Sequence, residues 1–351
     1  MTEDAGHPEA ESRGLERRRS RTRLAVLAVT FVCATVGAAI LFIFAGDDEL
    51  TTEAVTATLR VDGMPNGLAA GPDALWVALN DQVGEFDAKL ERLNLASGAV
   101  EQSVQLRGVL TETRKIGESV WTEKHEDWFD RKPSELVELD WLTGRIRSRL
   151  AFDRTSFAFV PGNGSLWIVV GRNPATLIRI DQRTRKPLGK PVTLSPNRVI
   201  GLEYGEKGVW ASAFEDGVLI RFDPATGRID KVRVGDNPVG IAVGDGSVWV
   251  ANRASGSVSR VESATMQVVD TVHVGTYPTW VAAAGDSIWV SNQGDGTVTR
   301  IDARTAEVVG APIKIGSPVG DAAAHVVAVA PKSLWVASWI HRTVSRIDTQ
   351  R

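Results

Sequence analysis

GDGSVWVANRASGSVSRV, residues 244–261, holds two short runs of alternating apolar residues, with Gly-Asp-Gly-Ser ahead of the first and Asn-Arg-Ala-Ser-Gly between the two. Side chains alternate faces along a strand, and such Gly- and Asp-rich clusters reverse the chain, so the stretch specifies a β-hairpin. The pattern returns at residues 285–301 as GDSIWVSNQGDGTVTRI. A turn, then Leu, Val or Ile, then Trp recurs at Trp76, Trp121, Trp167, Trp210, Trp249, Trp289 and Trp335, spaced by 45, 46, 43, 39, 40 and 46 residues. Within residues 236–275, NPVGIAVG, SVWVAN, SVSRVE and VVDTVHVG supply four alternations in one unit. Four strands per unit with a period near forty define an all-β propeller, in which each blade stacks an apolar face on the next.

The ends of the chain tell how the ring closes. After Trp335 the last repeat reaches TVSRID and the sequence stops at Arg351, one strand short. AVTATLRVDG, residues 54–63, has the fourth-strand pattern of VVDTVHVG. A seven-bladed propeller over residues 54–351, closed three strands plus one, is therefore expected. It leaves no open sheet edge at the seam.

Ahead of the repeats, residues 24–45 form a run of 22 residues without a charge, LAVLAVTFVCATVGAAILFIFA. That length suffices for a helix to cross a hydrocarbon core of about 30 Å. Six Arg precede it within residues 13–23, and the next basic residue after it is Arg60, so the N-terminal tail, residues 1–23, is expected to stay cytoplasmic. The run exceeds the usual apolar stretch of a cleaved signal, and Ile43 breaks the small-x-small pattern before Ala45. An uncleaved single-pass anchor at the cell membrane, an eight-residue linker (residues 46–53) and an extracytoplasmic propeller follow. Cys33, inside the run, is the single cysteine, which removes disulfides and thiolate metal sites from the propeller. Beyond residue 23 the chain carries 34 basic against 38 acidic side chains, which gives nucleic acid phosphates nothing to bind.

VGDNPVGIAVGDGSVWVANRASGSVSRVES (residues 234–263) and VGTYPTWVAAAGDSIWVSNQGDGTVTRIDARTAEVV (residues 274–309) resemble the bacterial Tyr-Val-Thr-Asn-type repeat propellers and the streptogramin (virginiamycin B) lyase-like propellers. WVAN and WVSN stand for that family's aromatic-Val-x-Asn strand, and the resemblance spans nearly all of residues 54–351. It implies the propeller fold. For a lyase-like enzyme it further implies His and Glu catalysis with a bound magnesium, and otherwise no cofactor. The positions that open a blade, where such a His is expected, read NPVG, YPTW and SPVG.

Most repeated residues have a scaffold reading. The seven Trp suit packing between blades. Arg-x-Asp units such as Arg179 with Asp181 and Arg221 with Asp223, and the related Arg260 with Glu262, place two side chains on one strand face as an exposed ion pair, with the acid also able to bond the turn that follows. Asp245-Gly246 suits a tight hairpin better than calcium. His273 falls on an outer, solvated strand. The chain carries no Gly-x-Ser-x-Gly elbow, His-Glu-x-x-His helix or phosphate loop.

Function is then expected where blades break the pattern, on the face shared by the loops that lead into first strands and those that join strands two and three. Blade two carries EKHEDWFDRKPSE, with His125, Glu126, Asp127, Trp128 and Arg131. Blade seven carries SWIHRT, with Trp339 and His341. In blade six Trp280 replaces Gly240 of the preceding blade, beside Tyr277. Trp128, Arg131, Tyr277, Trp280, Trp339 and His341 are the candidate ligand-binding residues, for an unknown ligand or envelope protein. His125, Glu126 and His341 are the candidates for acid and base in an alternative lyase- or hydrolase-like enzyme. A structural cell-envelope scaffold is the third reading.

Overall fold

The computed structural model describes residues 54–81, 87–126, 134–315 and 326–349. These form seven four-stranded antiparallel sheets. Blades one to six run in chain order over residues 64–107, 109–151, 156–195, 199–233, 238–273 and 278–314. Blade seven takes three strands from residues 326–348 and its fourth from Val55–Arg60, which pairs antiparallel with Thr343–Asp348 so that Thr58 faces Ser345 and Leu59 faces Val344. The blade count and the three-plus-one closure match the sequence expectation. Among the described residues no helix is long and apolar enough to cross a membrane. The tail, the candidate span 24–45 and the linker lie outside the described residues.

Each repeat Trp sits at the centre of the second strand of its blade and is 0–3% exposed. Seven apolar clusters fill the seven gaps between consecutive blades, and each contains one repeat Trp. Trp249 meets Ile288 and Val290 of the next blade, and Trp335 meets Leu68 and Val77 across the seam. An indole removes about 150–250 Å² from water, on the order of 4–6 kcal/mol per blade before conformational entropy is subtracted. Each gap thus holds one large aromatic side chain among its smaller apolar residues.

The Arg-x-Asp units differ from expectation. Arg and Trp stand directly opposite each other on strands three and two, as in Trp249 with Arg260. The guanidinium lies over the indole, at 4.9 Å for Arg179 on Trp167, 5.8 Å for Arg221 on Trp210 and 5.4 Å for Arg260 on Trp249. Arg221 pairs with Asp230 of the outer strand, not with Asp223, and Arg260 pairs with Asp270, not with Glu262. A guanidinium over an aromatic face gains from the ring quadrupole, which the exposed pair forgoes. Arg221 and Arg260 then donate to the carbonyls of Ser263 and Arg304 in the following blade, which makes them clasps between blades. The acids do cap turns, as Asp181 accepts the amides of Arg183 and Thr184.

Candidate functional site

The innermost strands of the blades surround the central channel. Five of the seven residues paired with the repeat Trp on these strands are Ala or Val. The other two are Arg114 in blade two and Glu203 in blade four. Two residues earlier along the same strands stand Gly67, Gly201 and Gly240, but Glu112 in blade two and Trp280 in blade six. A Cβ at Gly67 would lie 2.2 Å from the Thr111 carbonyl oxygen, and one at Gly201 would lie 2.1 Å from that of Val239. Neighbouring strands approach too closely there for any side chain, so the channel is filled from only a few directions.

Two chambers result. The upper one, at the ends where the innermost strands begin, has a volume of about 250 Å³ and is walled by Glu112, Arg114, Glu123, Phe157, Ile241 and Trp280. The lower one, of about 410 Å³, adds Lys115, Glu203 and Tyr204 on one side and the Ala and Val of blades five to seven on the other. Asn66, Glu112, Arg114, Ile241 and Trp280 line both. Trp280 also packs against the apolar cluster between blades seven and one, so its indole reaches past its own blade.

Charge is concentrated in blade two. Arg114 donates Nε to Glu112 at 2.6 Å and Nη1 to Glu203 at 3.1 Å, a link from blade two to blade four. Glu112 also accepts the Phe159 amide of blade three at 3.1 Å. Burial pushes the Glu112 carboxyl up to about 7, with the Glu123 charge adding to the shift and Arg114 opposing it. Glu123, 2% exposed, behaves in the opposite way: burial would raise its carboxyl, but His125 together with the Ser156 and Thr111 hydroxyls outweighs that and holds it below the ordinary carboxylate range. His125 Nε2 lies 3.3 Å from Glu123 Oε2 and 3.2 Å from the Thr111 hydroxyl, which itself donates to Glu123 at 2.8 Å. Two neighbouring carboxyls driven apart in acidity leave Glu123 ionised over a pH range in which Glu112 still holds its proton.

The residues anticipated from sequence are distributed unevenly around this channel. Trp280 lines both chambers, and His125, 5% exposed, contacts the Glu123 that lines the upper one. Glu126 is exposed just beyond His125. Tyr277, 39% exposed, carries the Arg253 guanidinium 4.6 Å from its ring centre. Trp339 and His341 are half-buried in the blade seven loop. Neither they nor Tyr277 are among the lining residues of the two chambers. Trp128 and Arg131 lie outside the described residues. Reading loops alone missed Glu112, Arg114, Glu123 and Glu203. Their signal was present in TETR, residues 111–114, an acid and a base inside an innermost strand where the other blades are mostly apolar or small.

Among the described residues no three His, Cys, Asp or Glu side chains gather closely enough to hold a metal ion.

No family model and no curated protein matches the sequence. Solved structures do. One described as "Crystal Structure of Mitotic Checkpoint Complex" superposes with a TM-score of 0.69 at 14% identity, covering 92% of this chain and 99% of that one. The computationally designed Ika8 protein gives 0.61 at 12% identity, covering 84% and 98%. Sqt1 of Saccharomyces cerevisiae gives 0.62 at 10% identity, covering 84% and 98%. At such identity the likeness is one of fold, and the chain is a seven-bladed β-propeller.

Proposed function

We infer that this propeller is a binding module, anchored in the cell membrane through residues 24–45, held on the extracytoplasmic side, and open to its ligand on the face where the innermost strands begin. The observation that carries this reading is the upper chamber, where Glu112, Arg114 and Glu123 share a small volume with Trp280. Convergent polar groups opposite an aromatic wall are what a ligand pocket needs for orientation and for adhesion. The similar propeller in a Mitotic Checkpoint Complex structure supports a protein partner on the surrounding rim, where Tyr277, Trp339 and His341 stand.

The contact of His125 with Glu123 and Thr111 favours a second reading, a lyase- or lactone-hydrolase-like enzyme of the streptogramin lyase-like family, because a carboxylate-oriented His is suited to proton transfer. One experiment separates the two. Thermal shifts of the full-length chain are recorded with amines, carboxylates, sugars and peptides, and streptogramin and lactone substrates are incubated with and without magnesium. Stabilisation by one ligand class that is lost in Trp280→Ala, without turnover, supports the binding module. Turnover abolished by His125→Ala or His341→Ala replaces it with the enzyme. An envelope scaffold is favoured if no class stabilises and Trp128→Ala with Trp339→Ala leaves every interaction intact.

A further inference from the structure

Resting on the binding reading above, we propose that the upper chamber receives the ammonium group of a small organic amine, placed against Glu123, with the apolar body of the amine on Trp280. Two carboxylates and one guanidinium line this chamber. The guanidinium is already committed, since Arg114 serves Glu112 at 2.6 Å and Glu203 at 3.1 Å. Glu123 is left with the Thr111 hydroxyl and His125, which both engage Oε2, and with the nearby Ser156 hydroxyl, itself bonded to the Ser134 hydroxyl at 2.7 Å. Its other oxygen, Oε1, is fully buried and has no hydrogen-bond partner. A buried carboxylate oxygen without a donor is an unfavourable state that a ligand N–H group relieves.

The rest of the wall fits the same ligand. Trp280 offers an aromatic surface, which attracts cations and accepts apolar rings, and Val239 and Ile241 extend that surface. Phe157 contributes less, because Arg172 already lies 5.6 Å from its ring centre. An anionic ligand would meet the ionised Glu123. At about 250 Å³ the chamber has room for the liquid volume of roughly eight waters, which suits one ring or a short chain. A free amine and a lysine side chain presented by a partner protein share this chemistry.

The test is calorimetric titration of the full-length chain at neutral pH with 2-phenylethylamine, the isosteric 2-phenylethanol and 3-phenylpropionate, and with Nα-acetyl-lysine methylamide. The amine is expected to bind at least tenfold more tightly than the alcohol, and the carboxylate more weakly still. Tighter binding of phenylethylamine than of the lysine compound assigns a free amine, and the reverse order assigns a lysine side chain. Glu123→Gln is expected to lower amine affinity at least tenfold while leaving the alcohol within threefold. If that variant does not fold, the wild-type ligand series decides alone. The inference is overturned if the alcohol or the carboxylate binds as tightly as the amines, if neither amine binds, or if folded Glu123→Gln binds amine unchanged. Binding of the alcohol or the carboxylate through Trp280 would still leave the binding module standing.

Discussion

Trp76 and Trp210 occupy the same place in their blades and are equally buried, yet Trp76 donates its indole N–H to the Trp141 carbonyl at 3.0 Å, whereas that of Trp210 has no partner. Replacing either by Phe removes similar apolar volume, but only Trp76→Phe also breaks a buried hydrogen bond. Trp76→Phe is expected to cost about 1 kcal/mol more than Trp210→Phe, read from urea unfolding midpoints. Glu112 makes a separate prediction. Its carboxyl is raised from 4.5 to about 7, so between those values the folded chain keeps a proton that the unfolded chain has lost. Its favourable contribution is fully present below pH 4.5 and lost as pH rises through 7, a fall of about 3 kcal/mol. Glu112→Gln should remove that part of the decline between pH 5 and 8. Glu123 works in the opposite sense, its contribution being present above the ordinary carboxylate range and lost as pH falls through its depressed value. Unfolding curves collected across pH for Glu112→Gln and wild type separate the two groups.

Blade two shows how an element departs from the repeat and is repaired by its neighbour. Where other blades set Arg opposite the repeat Trp, blade two sets Glu138 opposite Trp121. Arg185, from a turn of blade three, lies 4.8 Å from the Trp121 ring centre and pairs with Glu138, so the missing guanidinium arrives from the next blade. Arg185→Ala leaves Glu138, 5% exposed, with only the Ser119 and Ser148 hydroxyls, and is expected to cost about 2 kcal/mol. Arg179→Ala, which loses a stacking contact and one bond to Ser165, should cost under about 1 kcal/mol in the same denaturation assay. The strands and hairpins of these blades were legible because alternation and turn residues are local signals. The partner of each Arg was not, since two spacings, i+2 along the strand and directly across it, compete, and the Trp face wins. The charged innermost strand TETR was visible too, but its meaning depends on six other strands far away in sequence.

For the whole molecule, the number of blades follows from one Trp per gap, and the closure follows from one strand missing at one end and present at the other. What the channel contains could not be read in that way, because its walls combine residues as distant as Asn66 and Trp280. The seam itself can be tested. The hydroxyls of Thr58 and Ser345 lie 3.1 Å apart across a separation of 287 residues. Thr58→Cys with Ser345→Cys, in a Cys33→Ser background, should form a disulfide that adds on the order of 3–5 kcal/mol when oxidised, with the reduced protein as the control.

The seam also decides how the ring responds to tension. The Asp348 amide donates to the Ala54 carbonyl, so both ends of the described chain leave the ring at one corner, on the face away from the upper chamber. A pull on the segment preceding residue 54 therefore acts first on Val55, the outer end of the only strand that is not continuous with its blade. Because Asp348 ends at the same corner, drawing the two ends apart is expected to open the ladder to Thr343–Asp348 one pair at a time, with Leu59 and Arg60 the last to let go. The strand that completes the circle is also its mechanical fuse.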